Sequence, residues 1–92
     1  MDKRAKMIIT GKVQGVYFRN FAKQNANKLG LVGWVKNRKD GALEVVVQGA
    51  EAKIEQFHTL CKSGPMMAKV EEIGVEWLDL DEDLEYFDLR SF

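Results

Sequence analysis

Apolar and polar positions along the chain switch between two periods, and the switches mark out the elements. Residues 4–11 place Met7, Ile8 and Ile9 in a short β-favouring run that stops at Gly11, which predicts a first strand. From there Phe18, Phe21, Ala22, Ala26 and Leu29 recur at helical intervals, giving a helix of about three turns one apolar face. Gly30 suits the left-handed end of that helix, with Leu31 folding back as its apolar contact. The stretches LVGWVKN and ALEVVVQG read as two strands joined around Asp40-Gly41, a strong hairpin signal because such turns need positive φ. A second helix covers 51–62, with Ile54, Phe57, His58 and Cys61 at i, i+3, i+4 and i+7, and Gly64-Pro65 ends it. In AKVEEIGVEWLDL, Ile73, Val75 and Trp77 alternate with Glu72, Gly74 and Glu76, predicting a long strand with one buried face. The acidic run from Asp79 to Glu85 reads as a solvated loop, and YFDLRSF is a candidate fifth strand.

The order βαββαβ predicts an α+β, ferredoxin-like sandwich over residues 1–92 as one domain. Two helices lie on one face of an antiparallel sheet whose strands run 4-1-3-2. Strands 1 and 2 are then parallel, with strand 3 between them. Their C-terminal ends emerge on one rim, about 10 Å apart. That rim gathers the loop from Gly11 to Arg19, the strand end carrying Asn37, and the Gly64-Pro65 connection.

Composition changes this picture little. Apolar residues make up 46% of the 92, an ordinary globular share, and no apolar run approaches the length of a membrane span. One cysteine, Cys61, rules out an internal disulfide and fits a reducing compartment, and the first residues make a poor secretion signal. A cytoplasmic location is the expectation. Charge is more informative. The formal net charge is zero, yet residues 1–40 hold ten Lys/Arg against two Asp, and residues 41–92 hold four against twelve Asp/Glu. Neutrality weakens the case for a nucleic-acid binder. The basic first half leaves room for a local anion site.

The candidate chemistry lies in GKVQGVYFRN, residues 11–20, where the first helix starts without a Ser, Thr, Asp or Asn to cap it. An uncapped start offers N–H donors and the positive end of the helix dipole to an anion. Gly15 allows close backbone approach, and Arg19 is placed to grip two oxygens in a fork. Water satisfying those amides, around glycines that serve only a turn, is the competing reading. Neither a nucleotide P-loop ending nor a Gly-x-Gly-x-x-Gly occurs, so no nucleotide is implied.

GKVQGVYFR, LGLVGWVKN followed by DGALEVVVQG, and GPMMAKVEEI resemble the successive signature segments of the acylphosphatase family, in order and at the expected spacing. The resemblance implies a metal-independent hydrolase of acyl phosphates that needs no cofactor and releases inorganic phosphate. It assigns phosphate binding to Arg19 and orientation of the attacking water to Asn37. The family's phosphate loop maps onto Gln14, Gly15, Val16, Tyr17, Phe18 and Arg19. Asn20 stands where the family often has an aromatic residue, and the FDLRSF ending runs one residue longer than the family pattern.

Other residues point mostly to structure. His58 and Cys61 share the apolar stripe of the second helix, Trp34 and Trp77 are expected to pack, and the acidic run lacks calcium-loop spacing. Lys36, Arg38 and Lys39 flank Asn37 and could either steer anions or simply solubilise a strand end. RNA-recognition modules share the βαββαβ order, but they stack bases on aromatic residues of the third strand, which is aliphatic here. A non-catalytic anion-binding or regulatory module on the same scaffold is the alternative to the enzyme. A monomer that binds neither nucleic acid nor membrane is expected.

Overall fold

The structure, a computed structural model, describes residues 2–80 and 84–90. Its elements are β1 (Asp2–Lys12), α1 (Phe18–Lys28), β2 (Val32–Asn37), β3 (Leu43–Ala50), α2 (Glu51–Ser63), β4 (Lys69–Leu78) and β5 (Phe87–Arg90). The strands form one sheet in the order β4-β1-β3-β2-β5. The expected 4-1-3-2 arrangement is present and antiparallel throughout. β5 extends it by pairing parallel to β2, so the sheet is mixed. Residues 81–83 of the acidic run, and the Ser91-Phe92 end, lie outside the described residues.

Alternation in β1 buries Ala5, Met7 and Ile9, and in β3 it buries Leu43, Val45 and Val47. These side chains meet Phe18, Ala22 and Ala26 of α1 and Ile54, Phe57 and Cys61 of α2 in one core. Each large apolar side chain buried there contributes about 1.5–3 kcal/mol. Phe87 brings β5 into the same core, its ring 6.4 Å from that of Phe57.

The helix ends follow the sequence closely. Gly30 has φ 71°, the Leu31 N–H donates to the Ala26 carbonyl at 2.8 Å, and the Gly30 N–H donates to Asn27 at 3.2 Å. That is the Schellman bond pair, closed by burial of both Leu31 and Ala26. The hairpin differs in detail from a two-residue Asp-Gly turn. Arg38 and Ala42 close a three-residue loop, with the Arg38 N–H on the Ala42 carbonyl at 2.8 Å and the Gly41 N–H on the Arg38 carbonyl at 3.2 Å. Of its residues, Gly41 alone is left-handed, at φ 93°. Asp40 instead uses its side chain, accepting the Ala42 N–H at 3.1 Å. That bond, and then the Arg38 guanidinium, hold the Asp40 carboxyl below its ordinary value.

β4 departs from the expectation of one buried face. Ile73, Val75 and Trp77 pair with Ile9, Met7 and Ala5 and so lie on the helix side of the sheet. Yet Val75 is 41% exposed and Trp77 is 50% exposed. Alternation specifies which face a residue takes, but cover for an edge strand depends on how far the helices reach. Trp34 packs, though not in the core: on the open face its ring lies 4.9 Å from the Arg90 guanidinium and 5.4 Å from the Lys36 ammonium.

Gly33 is squeezed between β3 and β5. Its φ is 146°, a Cβ there would run into the Val46 carbonyl, and its N–H donates to Tyr86 at 3.1 Å. Gly33→Ala is therefore expected to cost about 2–4 kcal/mol of stability in denaturant titration. A loss under about 0.5 kcal/mol, the level of an ordinary surface change, would mean β2 can shift to relieve the clash.

Ile9 and Asn37 both pair with Leu43, so the C-terminal ends of β1 and β2 share one rim. Lys12 pairs with Lys69, and Gly64 abuts the Phe18 ring, which brings the α2–β4 connection to that rim as well.

Candidate active site

The loop from β1 to α1 is pinned from below by Val13, Val16 and Phe18, all buried. Gly15 (φ 71°) and Tyr17 (φ 64°) are both left-handed, and together they curl the chain around Val16. Tyr17 is the N-cap of α1, no side chain caps it, and no acidic residue lies in the first turn. The first satisfied helix amide is that of Phe21, bonded to the Tyr17 carbonyl at 3.0 Å. Among the described residues the amides of Phe18, Arg19 and Asn20 meet no acceptor. A helix start of this kind favours an anion.

Arg19 projects from the first turn, and its Nη1 donates to the Arg90 carbonyl of β5 at 3.4 Å. Asn37 ends β2 on the same face as the buried Val35, which turns it toward the helix layer. Among the described residues no hydrogen bond engages its carboxamide. Two of its basic neighbours are occupied elsewhere. Lys36 lies over Trp34 on the opposite face, and Arg38 pairs with Asp40 at 3.2 Å and Glu44 at 3.5 Å.

These segments enclose a cleft of about 490 Å³, lined by Val13, Gly15, Tyr17, Phe18, Arg19, Asn20, Asn37 and Leu89. Arg19 and Asn37, 18 positions apart in sequence, thus line one cavity with Gly15, Tyr17 and Phe18. The side chains of Gln14 and Val16 do not. Val16 is in the core, so only its backbone can serve a ligand. The Gln14 Nε2 donates to the Arg38 carbonyl at 2.7 Å and the Ala42 carbonyl at 3.0 Å. It ties the loop to the hairpin that follows Asn37, holding the two halves of the cleft together. Asn20 and Leu89 line the cleft without having been singled out as ligand contacts. Asn20 was signalled by its place next to Arg19 in the first helical turn; Leu89 depends on the parallel pairing of β5.

Among the described residues no His, Cys, Asp or Glu lines the cleft. His58 lies on α2 outside it, half-buried, with its pKa lowered by desolvation and then by Lys62. Cys61 is fully buried, and burial pushes its thiol up to about 12, so it is no nucleophile. Among the described residues no group of three His, Cys, Asp or Glu is placed to hold a metal ion. The cleft offers amides, a guanidinium and a carboxamide, a set suited to holding an oxyanion and a water.

The family model for acylphosphatases matches residues 5–89. The chain belongs to the acylphosphatase family. An acylphosphatase of Anaeromyxobacter dehalogenans is 40% identical over 95% of this chain and 94% of its own length. Among solved acylphosphatases, that of Bacillus subtilis superposes with a TM-score of 0.93 at 37% identity, covering 98% of this chain and 99% of the other. The same fold also occurs inside a larger protein. Full-length HypF, solved in a phosphate- and nucleotide-bound form, matches 99% of this chain with a TM-score of 0.91 at 32% identity, over 12% of its own length.

Proposed function

We propose that this protein hydrolyses the carboxyl–phosphate anhydride of small acyl phosphates to a carboxylate and inorganic phosphate, with no metal or cofactor. The observation that carries this reading is the convergence on one cleft of Arg19, Asn37 and helix amides that are unpaired among the described residues. The loop from Gln14 to Arg19 holds the phosphoryl oxygens through its amides. Arg19 forks onto two of them and stabilises the charge that spreads over them in the transition state. Asn37 holds a water in line with the P–O bond to the acyl group, accepting from it and orienting its lone pair. The water oxygen bonds to phosphorus, and the P–O bond breaks with its electrons leaving on the carboxylate. The water's proton ends on phosphate or in solvent. The leaving carboxylate is the base of an acid of pKa about 4, so no general acid is needed at neutral pH.

The protein acts, in this reading, as a single-domain cytoplasmic monomer that meets small molecules rather than nucleic acid or membrane. No helix among the described residues is long and apolar enough to cross a membrane. On the open face β3 carries Glu44, Val46 and Gln48, with no ring for a base to stack on.

The alternative is a non-catalytic anion-binding or regulatory module, favoured by the appearance of this fold as a small part of HypF. Turnover decides between them. Hydrolysis of benzoyl phosphate in the presence of a chelator is the expected result. Saturable binding of inorganic phosphate without turnover would establish the binding module instead.

A further inference from the structure

Tyr17 does not fit its surroundings as a structural residue. Its backbone is left-handed, at φ 64° and ψ 19°, a conformation that suits glycine or asparagine and strains a bulky side chain. Packing gives nothing back, because the residue is 76% exposed. Among the described residues no hydrogen bond or ring contact engages its side chain. The same residue lines the cleft that holds Gly15, Arg19 and Asn37. That cleft, at about 490 Å³, is in the range that holds a whole small ligand rather than a bare phosphate. Its wall is divided. Arg19, Asn20, Asn37 and the Gly15 backbone make it polar, while Tyr17 and Leu89 supply apolar surface beside them.

We propose that the Tyr17 ring forms the wall of an acyl subsite that selects aromatic acyl phosphates over short aliphatic ones. This rests on the hydrolase reading above and names its substrate class. The anhydride places the acyl group one bridging oxygen from phosphorus, so a phosphoryl group held by the loop amides directs the acyl group along the cleft wall. An aromatic acyl group there covers the exposed ring by offset or edge contact, which an acetyl group is too small to do.

The test compares kcat/KM for benzoyl phosphate with that for acetyl phosphate in the wild type and in Tyr17→Phe, Tyr17→Asn and Tyr17→Gly. Both replacements that lack a ring tolerate the left-handed backbone, and circular dichroism checks that they fold. Because the two substrates share every phosphoryl contact, the ratio cancels general damage to the loop. The benzoyl-to-acetyl ratio is expected to fall about fivefold in the Asn and Gly variants, equivalent to about 1 kcal/mol, and to survive in Tyr17→Phe. An unchanged ratio in Asn and Gly, or an equal fall in Phe, overturns the subsite while leaving the hydrolase intact. A wild-type protein that hydrolyses neither substrate overturns the hydrolase reading, and the subsite with it.

Discussion

Arg19→Lys is expected to lower kcat/KM for benzoyl phosphate by about 10²–10³-fold, because an ammonium keeps the charge but loses the planar fork. Arg19→Ala should be worse still, since charge and donors both go. In the proposed mechanism the phosphate contacts form in the product complex as well as in the transition state. Inorganic phosphate should therefore inhibit roughly tenfold to a hundredfold less well in either variant, the loss of a charged hydrogen-bond pair. Stability should barely change. Among the described residues the Arg19 side chain makes one hydrogen bond, an exposed one to the Arg90 carbonyl at 3.4 Å. A shift within about 0.5 kcal/mol is the expectation for such a site. Wild-type kinetics in a folded Arg19→Lys protein would remove the guanidinium from the mechanism.

Asn37→Ala is expected to reduce kcat by about 10²-fold or more, through loss of the group that holds water in line. Here the pattern should differ from that at Arg19. In the proposed mechanism Asn37 addresses the nucleophile rather than the phosphoryl oxygens, so inhibition by inorganic phosphate should change far less than turnover does. Asn37→Asp retains the size and an acceptor but sets a negative charge facing an anionic substrate. It is expected to stay well below wild type rather than rescue. Equal losses of phosphate affinity and kcat in Asn37→Ala would assign the carboxamide to the phosphate instead of the water. Measured together on the same preparations, the Arg19 and Asn37 variants separate gripping the substrate from aiming the attack.

The cleft brings together two positions far apart in sequence. Gln14 was expected among the phosphate-binding residues, and its side chain instead spans from the loop to the carbonyls of Arg38 and Ala42. Arg38 is the residue after Asn37, so this bridge fixes the spacing between the amide cradle and the carboxamide. Arg90 makes a similar link from the other side, where its carbonyl receives Arg19 while its guanidinium stacks on Trp34 of β2. The two halves of the cleft are thus held by hydrogen bonds to main-chain carbonyls, and among the described residues the first α1 amides and the Asn37 carboxamide stay unpaired.

The sequence alone determined the element order, the helix boundaries and the bare start of α1, because these depend on near neighbours. Apolar spacing sets which face of Phe18–Lys28 is buried, Gly30 and Leu31 close its end, and the absence of a capping side chain before Arg19 is visible by inspection. Strand pairing could be reasoned from βαββαβ as well, since few connections are right-handed and short. Tertiary structure decided the rest. The parallel pairing of β5 with β2 puts Leu89 in the cleft and the Arg90 carbonyl against Arg19, contacts between residues with no local relation. It also decided that Val75 and Trp77, patterned as buried, stand exposed on an edge strand. The physical reason is one of range: propensity, capping and periodicity act within a few residues, whereas cover and convergence depend on where distant segments come to rest.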